Sequence, residues 1–249
     1  MQKPRLSAFL ITRNEKKNLG ECLETLRFCD EVVVVDYASN DGTPELARKW
    51  GARVYETSHW QGFGLQKQLA LEKTTGEWVL SIDADERVSI ELQEKIRQTL
   101  ESSVLYSGFF LSRTNYFLGK RMRFGGWGGD TLLRLARRDK CSFSIDVVHE
   151  QMRVTGPVGT LSGSLLHFSY RNLNDILSKQ SAYAQAGAHA RRLSNRLSRL
   201  DIALLKSFWG FIRNYLLLLG FMDGRHGFIA AISKAQETFW KSAGVENEQ

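Results

Sequence analysis

The chain has 249 residues and a mass of 28.4 kDa, and 43% of its residues are hydrophobic and 24% charged. This composition is globular, and the length suits one large α/β domain or one domain with a helical addition. The net charge of +7 favours a membrane face or a phosphorylated substrate as partner, and no RNP, zinc-finger or helix-turn-helix signature supports binding to nucleic acid.

The first hundred residues alternate between strand and helix patterns. The predicted elements are strand 5–12, helix 14–29, strand 30–36, helix 44–52, strand 53–57, helix 64–76, strand 77–83 and helix 89–102. Four consecutive valines, Val32–Val35, are typical of a parallel strand buried on both faces. In the last helix Ser89 is a candidate cap, and Leu92, Ile96 and Leu100 share one face. The alternation predicts a parallel, doubly wound α/β sheet, in which ligands bind outside the carboxyl ends of the strands.

The rest of the chain has a different organisation. Residues 107–168 read as shorter strands joined by glycine-rich loops, and the pattern is helical from Asn172 onwards. We therefore expect a catalytic domain over 1–170, with halves 1–100 and 101–170, and a helical region over 171–249.

The apolar helix predicted over 202–222 is interrupted by Arg213 and is too short to span a bilayer. It is either a core helix or a helix lying in a membrane interface. Between Gly187 and Lys241 there are nine Lys and Arg residues against three Asp and Glu residues, an excess that favours an interface with anionic lipid.

Carboxylates follow the fourth predicted strand. Asp83 and Asp85, two residues apart, can converge on one hard cation such as Mg²⁺ or Mn²⁺, which is usually shared with substrate phosphates. The alternative is a solvated cluster that caps the next helix, and we expect Glu86 to face solvent or to open that helix. Asp36 ends the second strand, where a carboxylate can bind a ribose or base edge or fold a turn.

The three cysteines form no CxxC pattern and are expected to be reduced thiols. The apolar run at the start of the chain is too short for a signal peptide. Both observations predict a cytoplasmic protein.

Four stretches, FLITRNEKKNL, EVVVVDYASNDGT, GFGLQKQLAL and EWVLSIDADERVS, resemble in this order the family 2 glycosyltransferases. The resemblance implies a GT-A fold and an inverting, metal-dependent hexosyltransferase that uses a nucleotide sugar. The later stretches GGWGGDTLLRLARRDKCSF and GFMDGRHGF resemble a narrower branch, the lipopolysaccharide inner-core β-glucosyltransferases, which add glucose to heptose. Partners implied by this branch are UDP-glucose, a glycolipid acceptor and the inner face of the inner membrane.

The family also implies roles for individual residues. The residues expected to bind the nucleotide sugar are Thr12, Asn14, Glu15, Asp36, Lys67, Asp83 and Arg134. Asp85 is expected on the metal, with Asp83 and His149 as further candidate ligands.

An inverting transfer needs a base that takes the proton of the acceptor hydroxyl. Asp130, after a glycine-rich stretch, is the first candidate, and Glu150 is the alternative. Arg134, Arg137 and Arg138 are expected to form a basic cluster against the leaving diphosphate, with one of them on an exposed strand edge.

Two alternative functions stay open. The chain could be a glycosyltransferase for another lipid-linked or protein acceptor, or a catalytically silent binding module on the membrane surface. Intact Asp83, Asp85 and Asp130 argue against the silent module.

Overall fold

A computed structural model describes residues 5–102, 105–144, 151–193 and 200–243. The chain divides into two compact units, the first comprising Met1–Arg113 and Asp130–His167 and the second Thr114–Gly129 and Phe168–Gln249. The domains expected over 1–170 and 171–249 stay a prediction. The segment Thr114–Gly129 belongs to the second unit because its apolar side chains pack with the later helices, an arrangement that the order of elements does not reveal.

The first half of the first unit is an alternation of parallel strands and helices. Its elements are β1 (Leu6–Thr12), α1 (Lys16–Thr25), β2 (Glu31–Tyr37), α2 (Thr43–Lys49), β3 (Arg53–Thr57), α3 (Phe63–Lys73) and β4 (Trp78–Ser81). The strands pair in the parallel order β3-β2-β1-β4, which confirms the predicted doubly wound sheet. Val33 and Val35 pack in one core cluster and Val34 in another, so β2 is buried on both faces.

The sheet continues with antiparallel strands. The further elements are β5 (Glu86–Val88), α4 (Ile90–Glu101), β6 (Gly108–Phe117), β7 (Lys120–Arg121), β8 (Asp130–Arg137), β9 (Cys141–Phe143), β10 (Met152–Val154) and β11 (Val158–Tyr170). In the described residues the sheet order is β3-β2-β1-β4-β8-β6-β11-β5, with β7 paired to β6 and a separate β9-β10 pair. Because β8 is antiparallel to β4, its Asp130 end lies at the edge where the parallel strands finish.

Between β4 and α4 the structure agrees with the expected helix cap but not with the expected position of Glu86. Ser89 accepts a hydrogen bond from the Leu92 N–H at 3.3 Å, and the predicted buried face of α4 is confirmed. Glu86, however, neither faces solvent nor opens that helix. It begins β5, pairs with His167 of β11 and is completely buried.

The second unit is mainly helical. Its helices are α5 (Leu173–Leu193), α6 (Leu200–Ile212) and α7 (Gly224–Ala243), and a π-helical turn (Arg213–Leu217) and a 3₁₀ turn (Gly220–Asp223) join the last two. The core includes Phe117, Met122, Ile176 and Ala230. The helix expected over 202–222 is α-helical up to Ile212 and continues as the π-helical turn up to Leu217.

Gly220 and Gly227 allow the chain to bend tightly after α6, since a Cβ on Gly227 would lie 1.8 Å from the Gly220 carbonyl oxygen.

In the described part of the chain no single helix has the length and apolar character to cross a membrane. The pair Leu200–Leu217 and Gly220–Ala243, bent by 70°, meets that test jointly.

Candidate active site

The ends of β1 and β2 are joined by a hydrogen-bonded pair. The Thr12 hydroxyl donates to Asp36 at 2.7 Å, and the same carboxylate accepts from the Ser39 N–H at 2.9 Å and the Ser39 hydroxyl at 2.6 Å. Both Thr12 and Asp36 are buried. Asp36 thus folds the turn after β2, as one of its two expected roles required, and its contact with a nucleotide stays a prediction.

Asn14 and Glu15 follow β1 and fasten it to the same turn. Asn14 has a φ of 54°, its amide oxygen accepts from the Asn40 N–H at 3.0 Å, and its own N–H donates to Ser39 at 2.7 Å. The Glu15 N–H donates to Thr43 at 2.9 Å. These residues give the strand end a fixed backbone at the edge where the sequence predicts the nucleotide.

Aromatic side chains lie next to this edge. Tyr37 at the end of β2 contacts Trp60, with 5.3 Å between ring centroids, and Trp60 contacts Phe63 at 4.9 Å. The Arg13 guanidinium lies 4.9 Å from the Tyr37 ring. Trp60 and Phe63 keep exposed faces of the kind on which a base or sugar stacks.

A network of charges lies at the end of β4. Asp83 forms ion pairs with Lys67 of α3 at 3.2 Å and with Arg134 of β8 at 2.5 Å. Arg134 also reaches Glu86 at 3.3 Å, and the other Glu86 oxygen accepts from the Asp83 N–H at 3.0 Å. Lys67 and Arg134 are nearly buried, so these interactions are weakly screened by solvent.

Arg113 of β6 extends the network to the candidate base. Its guanidinium lies 3.8 Å from Glu86 and forms an ion pair with Asp130, the residue opposite it on β8. The network therefore holds three carboxylates, on Asp83, Glu86 and Asp130, and three cations. Such a balance allows charged groups to stay in a site of low solvent access.

Within the network two carboxyl groups are shifted in opposite directions. Burial alone would raise the pKa of Asp83, but the charges of Arg134 and Lys67 outweigh it and hold that pKa well below its usual range. Burial raises the pKa of Glu86, the negative charge of Asp83 adds to the rise, and Arg134 opposes it only in part. Asp83 thus stays ionised under all ordinary conditions, whereas ionising Glu86 is costly.

Asp85 differs from Asp83 in its surroundings. Its carboxylate lies 3.5 Å from the His167 Nε2 of β11, whereas both oxygens of Asp83 face cations. No group of three possible metal ligands occurs in the described residues. Mg²⁺ and Mn²⁺ commonly take one or two carboxylates together with substrate phosphates, so Asp85 fits a cation of this kind and Asp83 fits it less well. His149 and Glu150 lie outside the described residues.

A pocket of about 420 Å³ opens beside this network. Its volume is in the range of small-molecule sites. Charged groups line one part and apolar side chains another. The lining residues are Lys67, Asp83, Phe110, Arg113, Thr131, Leu132, Leu133, Arg134, Phe143, Gln151 and Met152.

The similarity of this sequence to known proteins identifies its family. The sequence model described as "Glycosyl transferase family 2" matches residues 7–151, more than half of the chain. The chain belongs to glycosyltransferase family 2. It is 34% identical to the lipopolysaccharide core biosynthesis glycosyltransferase LpsC of Rhizobium meliloti, over 96% of this chain and 91% of that protein. An uncharacterised glycosyltransferase of Rickettsia prowazekii is 28% identical over 98% of this chain and 87% of its own length.

Solved structures agree on the fold. The S. aureus TarS fragment 1–349 in complex with UDP-GlcNAc superposes with a TM-score of 0.51 at 15% identity, covering 91% of this chain and 79% of that one. A Pyrobaculum calidifontis mannosyltransferase in complex with GDP-Man and Mn²⁺ gives 0.50 at 16% identity, covering 96% and 74%. The glycosyltransferase has the GT-A fold, as its motifs predicted.

The expected basic cluster of this glycosyltransferase is only partly formed. Arg134 lies beside Asp83, but Arg137 pairs with Glu77 at 2.7 Å and lies over the Trp78 ring at 4.8 Å. Arg138 donates to the Glu72 carbonyl in the last turn of α3 and to the hydroxyl of Thr74, which follows that helix. Both residues lie at the other end of β8, next to the start of β4, because the two strands run antiparallel.

Three residues of the site were not found from the sequence of the glycosyltransferase. Arg113, Glu86 and His167 reach the site through strand pairings between segments far apart in the chain. The complementary charges of Arg113 and Asp130 are a usable signal only when the register of β6 and β8 is known.

Proposed function

We propose that this glycosyltransferase moves a hexose, glucose from UDP-glucose, onto a heptose of a lipopolysaccharide core or a similar glycolipid, with inversion at the anomeric carbon. The observation that carries the proposal is the charged network at the end of β4, with Asp85 beside it and Asp130 within it. The LpsC relative, named for lipopolysaccharide core biosynthesis, supports the acceptor class. The neighbour crystallised with UDP-GlcNAc supports a UDP-sugar donor.

In this proposal the strand ends bind the nucleoside. Thr12, Asn14, Glu15 and Asp36 lie at the carboxyl ends of β1 and β2, where α/β sheets bind nucleotides. The exposed face of Trp60 lies close enough to Tyr37 to form one side of a base site.

The diphosphate of the donor lies towards the end of β4. There Asp85 is the proposed ligand of a metal ion that the protein shares with the diphosphate. A divalent cation held there, Mg²⁺ or Mn²⁺, would supply positive charge to neutralise the leaving diphosphate. Asp83 fixes Lys67 and Arg134 at this edge, and the fixed cations favour the charge that develops as the bond to the sugar breaks.

Asp130 serves as the base in this scheme. It takes the proton of the acceptor hydroxyl as that oxygen attacks the anomeric carbon from the face opposite the diphosphate. Arg113 holds the carboxylate in place on β8. Glu150 remains the second candidate.

The same proposal places the enzyme in the cytoplasm, at the inner face of the inner membrane. A lipid-linked acceptor requires access to a membrane surface. The net charge of +7 suits a surface rich in phosphate groups.

The test begins with donor selection. Thermal shifts with UDP-glucose, UDP-galactose and GDP-mannose, each with Mn²⁺, should be largest for UDP-glucose. Release of UDP should then require a heptose-bearing glycolipid, and Asp130→Asn should lower kcat by about 10²- to 10⁴-fold. A near-normal kcat in this variant excludes Asp130 as the base, and equal shifts with all donors contradict the donor assignment.

A further inference from the structure

Helix α6 has a reversed distribution of side chains. Small residues face the packed side: Ala203 is completely buried, and the Ser207 hydroxyl donates to the Ala235 carbonyl of α7 at 2.8 Å. The large apolar residues face outward, with exposures of 69% for Leu205, 67% for Phe208 and 57% for Trp209. In a helix of a soluble domain the large apolar residues normally face the core.

The close approach of α6 to α7 explains this arrangement. Gly210, on the same side of α6 as Ala203 and Ser207, has the Thr238 hydroxyl as the nearest atom to a Cβ, at 3.8 Å. Small residues let two helices pack closely. The contact side of α6 therefore does not need Leu205, Phe208 or Trp209, which remain on the surface of the second unit. Phe211 does contact Phe228 of α7, with 5.9 Å between ring centroids.

The outward side continues beyond α6 into the turns that follow. We call the exposed set the apolar face; its members are Leu204, Leu205, Phe208, Trp209, Leu216, Leu217, Leu219, Phe221 and Met222. Each of these side chains is at least 44% exposed. So many large apolar side chains exposed along one stretch of the chain mark a site of association with a membrane or another protein.

The charges that border the apolar face distinguish these partners. Lys206 and Arg213 are exposed and lie about two helical turns apart on one border, judged from helical spacing. The single acidic residue of α6, Asp201, is in its first turn. An apolar face bordered by basic residues, with a tryptophan among the exposed side chains, is the pattern of a helix lying in the interface of an anionic bilayer.

We propose that the apolar face binds an anionic lipid bilayer, with Leu205, Phe208 and Trp209 inserted among the acyl chains and Lys206 and Arg213 at the phosphate level. This inference deepens the proposed function. It rests on that function in one respect: a lipid-linked acceptor would give the enzyme a reason to bind the membrane surface. In this proposal α6 lies in the bilayer interface and does not cross the bilayer.

The lipid-binding segment also fixes the glycine-rich loop of the second unit. The Gly125 N–H donates to the Leu218 carbonyl at 2.7 Å. The buried Asp223 carboxylate accepts from the N–H groups of Arg123 and Phe124 at 3.0 and 2.9 Å. This loop leads directly into Asp130, so the segment that binds lipid and the chain that enters the candidate base are held together.

The binding test uses the full-length protein and vesicle flotation without any donor. Vesicles of phosphatidylglycerol mixed with phosphatidylcholine should retain the wild type, and pure phosphatidylcholine should retain much less. The double variant Leu205→Ser, Phe208→Ser should lose at least about tenfold in partition, since each side chain loses most of its apolar burial. The matched control, Ile90→Gln with Leu105→Gln, replaces exposed apolar residues of the first unit and should bind as the wild type.

A second pair of variants tests the charges. Lys206→Gln and Arg213→Gln should each lower binding to the anionic vesicles by about fivefold and leave binding to neutral vesicles unchanged. Fluorescence of Trp209, isolated by comparison with Trp209→Phe, should shift to shorter wavelength on the anionic vesicles only.

Three results would overturn the lipid assignment. The first is equal flotation of the wild type and the Leu205, Phe208 double variant. The second is a dimer in sedimentation velocity, without vesicles, that this variant abolishes, which would assign the apolar face to a second copy of the chain. The third is bound protein that resists alkaline extraction, which would indicate a spanning pair. Thermal shifts with UDP-glucose, measured on the same variants, report separately on the proposed reaction.

Discussion

Replacement of Arg134 by methionine tests the charged network most sharply. The guanidinium contacts Asp83 at 2.5 Å and Glu86 at 3.3 Å. Without it, the completely buried Glu86 keeps the Arg113 guanidinium at 3.8 Å and the Asp83 N–H at 3.0 Å. Removing one partner from a buried pair costs about 3–5 kcal/mol, which is a large part of the roughly 5–15 kcal/mol that stabilise a domain.

The loss of stability should depend on pH in a defined direction. The pKa of Glu86 is already raised above its ordinary value of 4.5 by burial, and loss of Arg134 raises it further. The penalty is fully present where Glu86 is ionised and disappears as the pH falls towards 4.5. Asp83 acts in the same sense but at lower pH, because the stability that its lowered pKa contributes is lost only as the pH falls below the ordinary value of 3.8. The deficit of Arg134→Met should therefore be smaller at about pH 5 than at about pH 8.

Urea unfolding at both pH values measures this effect, with Arg137→Met as the matched control on the same strand. Arg137 pairs with the exposed Glu77 and lies over Trp78, so its loss should cost about 1 kcal/mol or less at either pH. Equal deficits for the two variants, or a deficit of Arg134→Met that does not change with pH, would refute the network as described.

Three further predictions concern other substitutions. Glu86→Gln should remove a pH dependence: the wild type loses stability relative to this variant as the pH rises from about 5 to about 8, and parallel urea-derived stability curves would contradict that. Arg113→Gln should lower kcat by about 10- to 100-fold through displaced Asp130, with little change in the KM for donor; steady-state transfer kinetics check this, and an unchanged kcat argues against the positioning role. Gly227→Ala should lower the free energy of unfolding by about 2 kcal/mol or more through overpacking. Gly210→Ala should leave that free energy unchanged or raise it by up to about 1 kcal/mol. Equal melting temperatures of the two variants would contradict the close approach of Gly227 to Gly220.

The parallel half of the sheet was accessible from the sequence because its signals are local. Four consecutive valines and the regular alternation of elements define buried strands whose ends meet at one edge. The cap at Ser89 and the buried face of α4 followed from spacing within a single helix.

The antiparallel half was not accessible in the same way. Its partners are set by pairings such as β4 with β8 and β5 with β11, and no short stretch of sequence encodes such a register. Glu86 was for that reason expected in solvent, although β11 buries it, and Arg137 was expected in the site, although it lies at the opposite end of β8.

The helical region shows a third case. Its sequence left a core helix and an interfacial helix open, and the excess of basic residues favoured the interfacial one. The structure separates the two sides of α6, because the small residues Ala203, Ser207 and Gly210 lie on the side that packs against α7. Only contacts between helices carry this information, since the same composition suits both arrangements.

The central claim is that a nucleotide sugar is bound through a cation at Asp85 for transfer to a glycolipid. Its most direct test is the transfer of labelled glucose from UDP-glucose to a heptose-terminated core glycolipid, by the wild type and Asp85→Asn, each with Mn²⁺ and with chelator. We expect full transfer from the wild type with Mn²⁺ and at least about a 100-fold loss of transfer in the other three reactions. Full transfer by Asp85→Asn, or by the wild type in chelator, would contradict it.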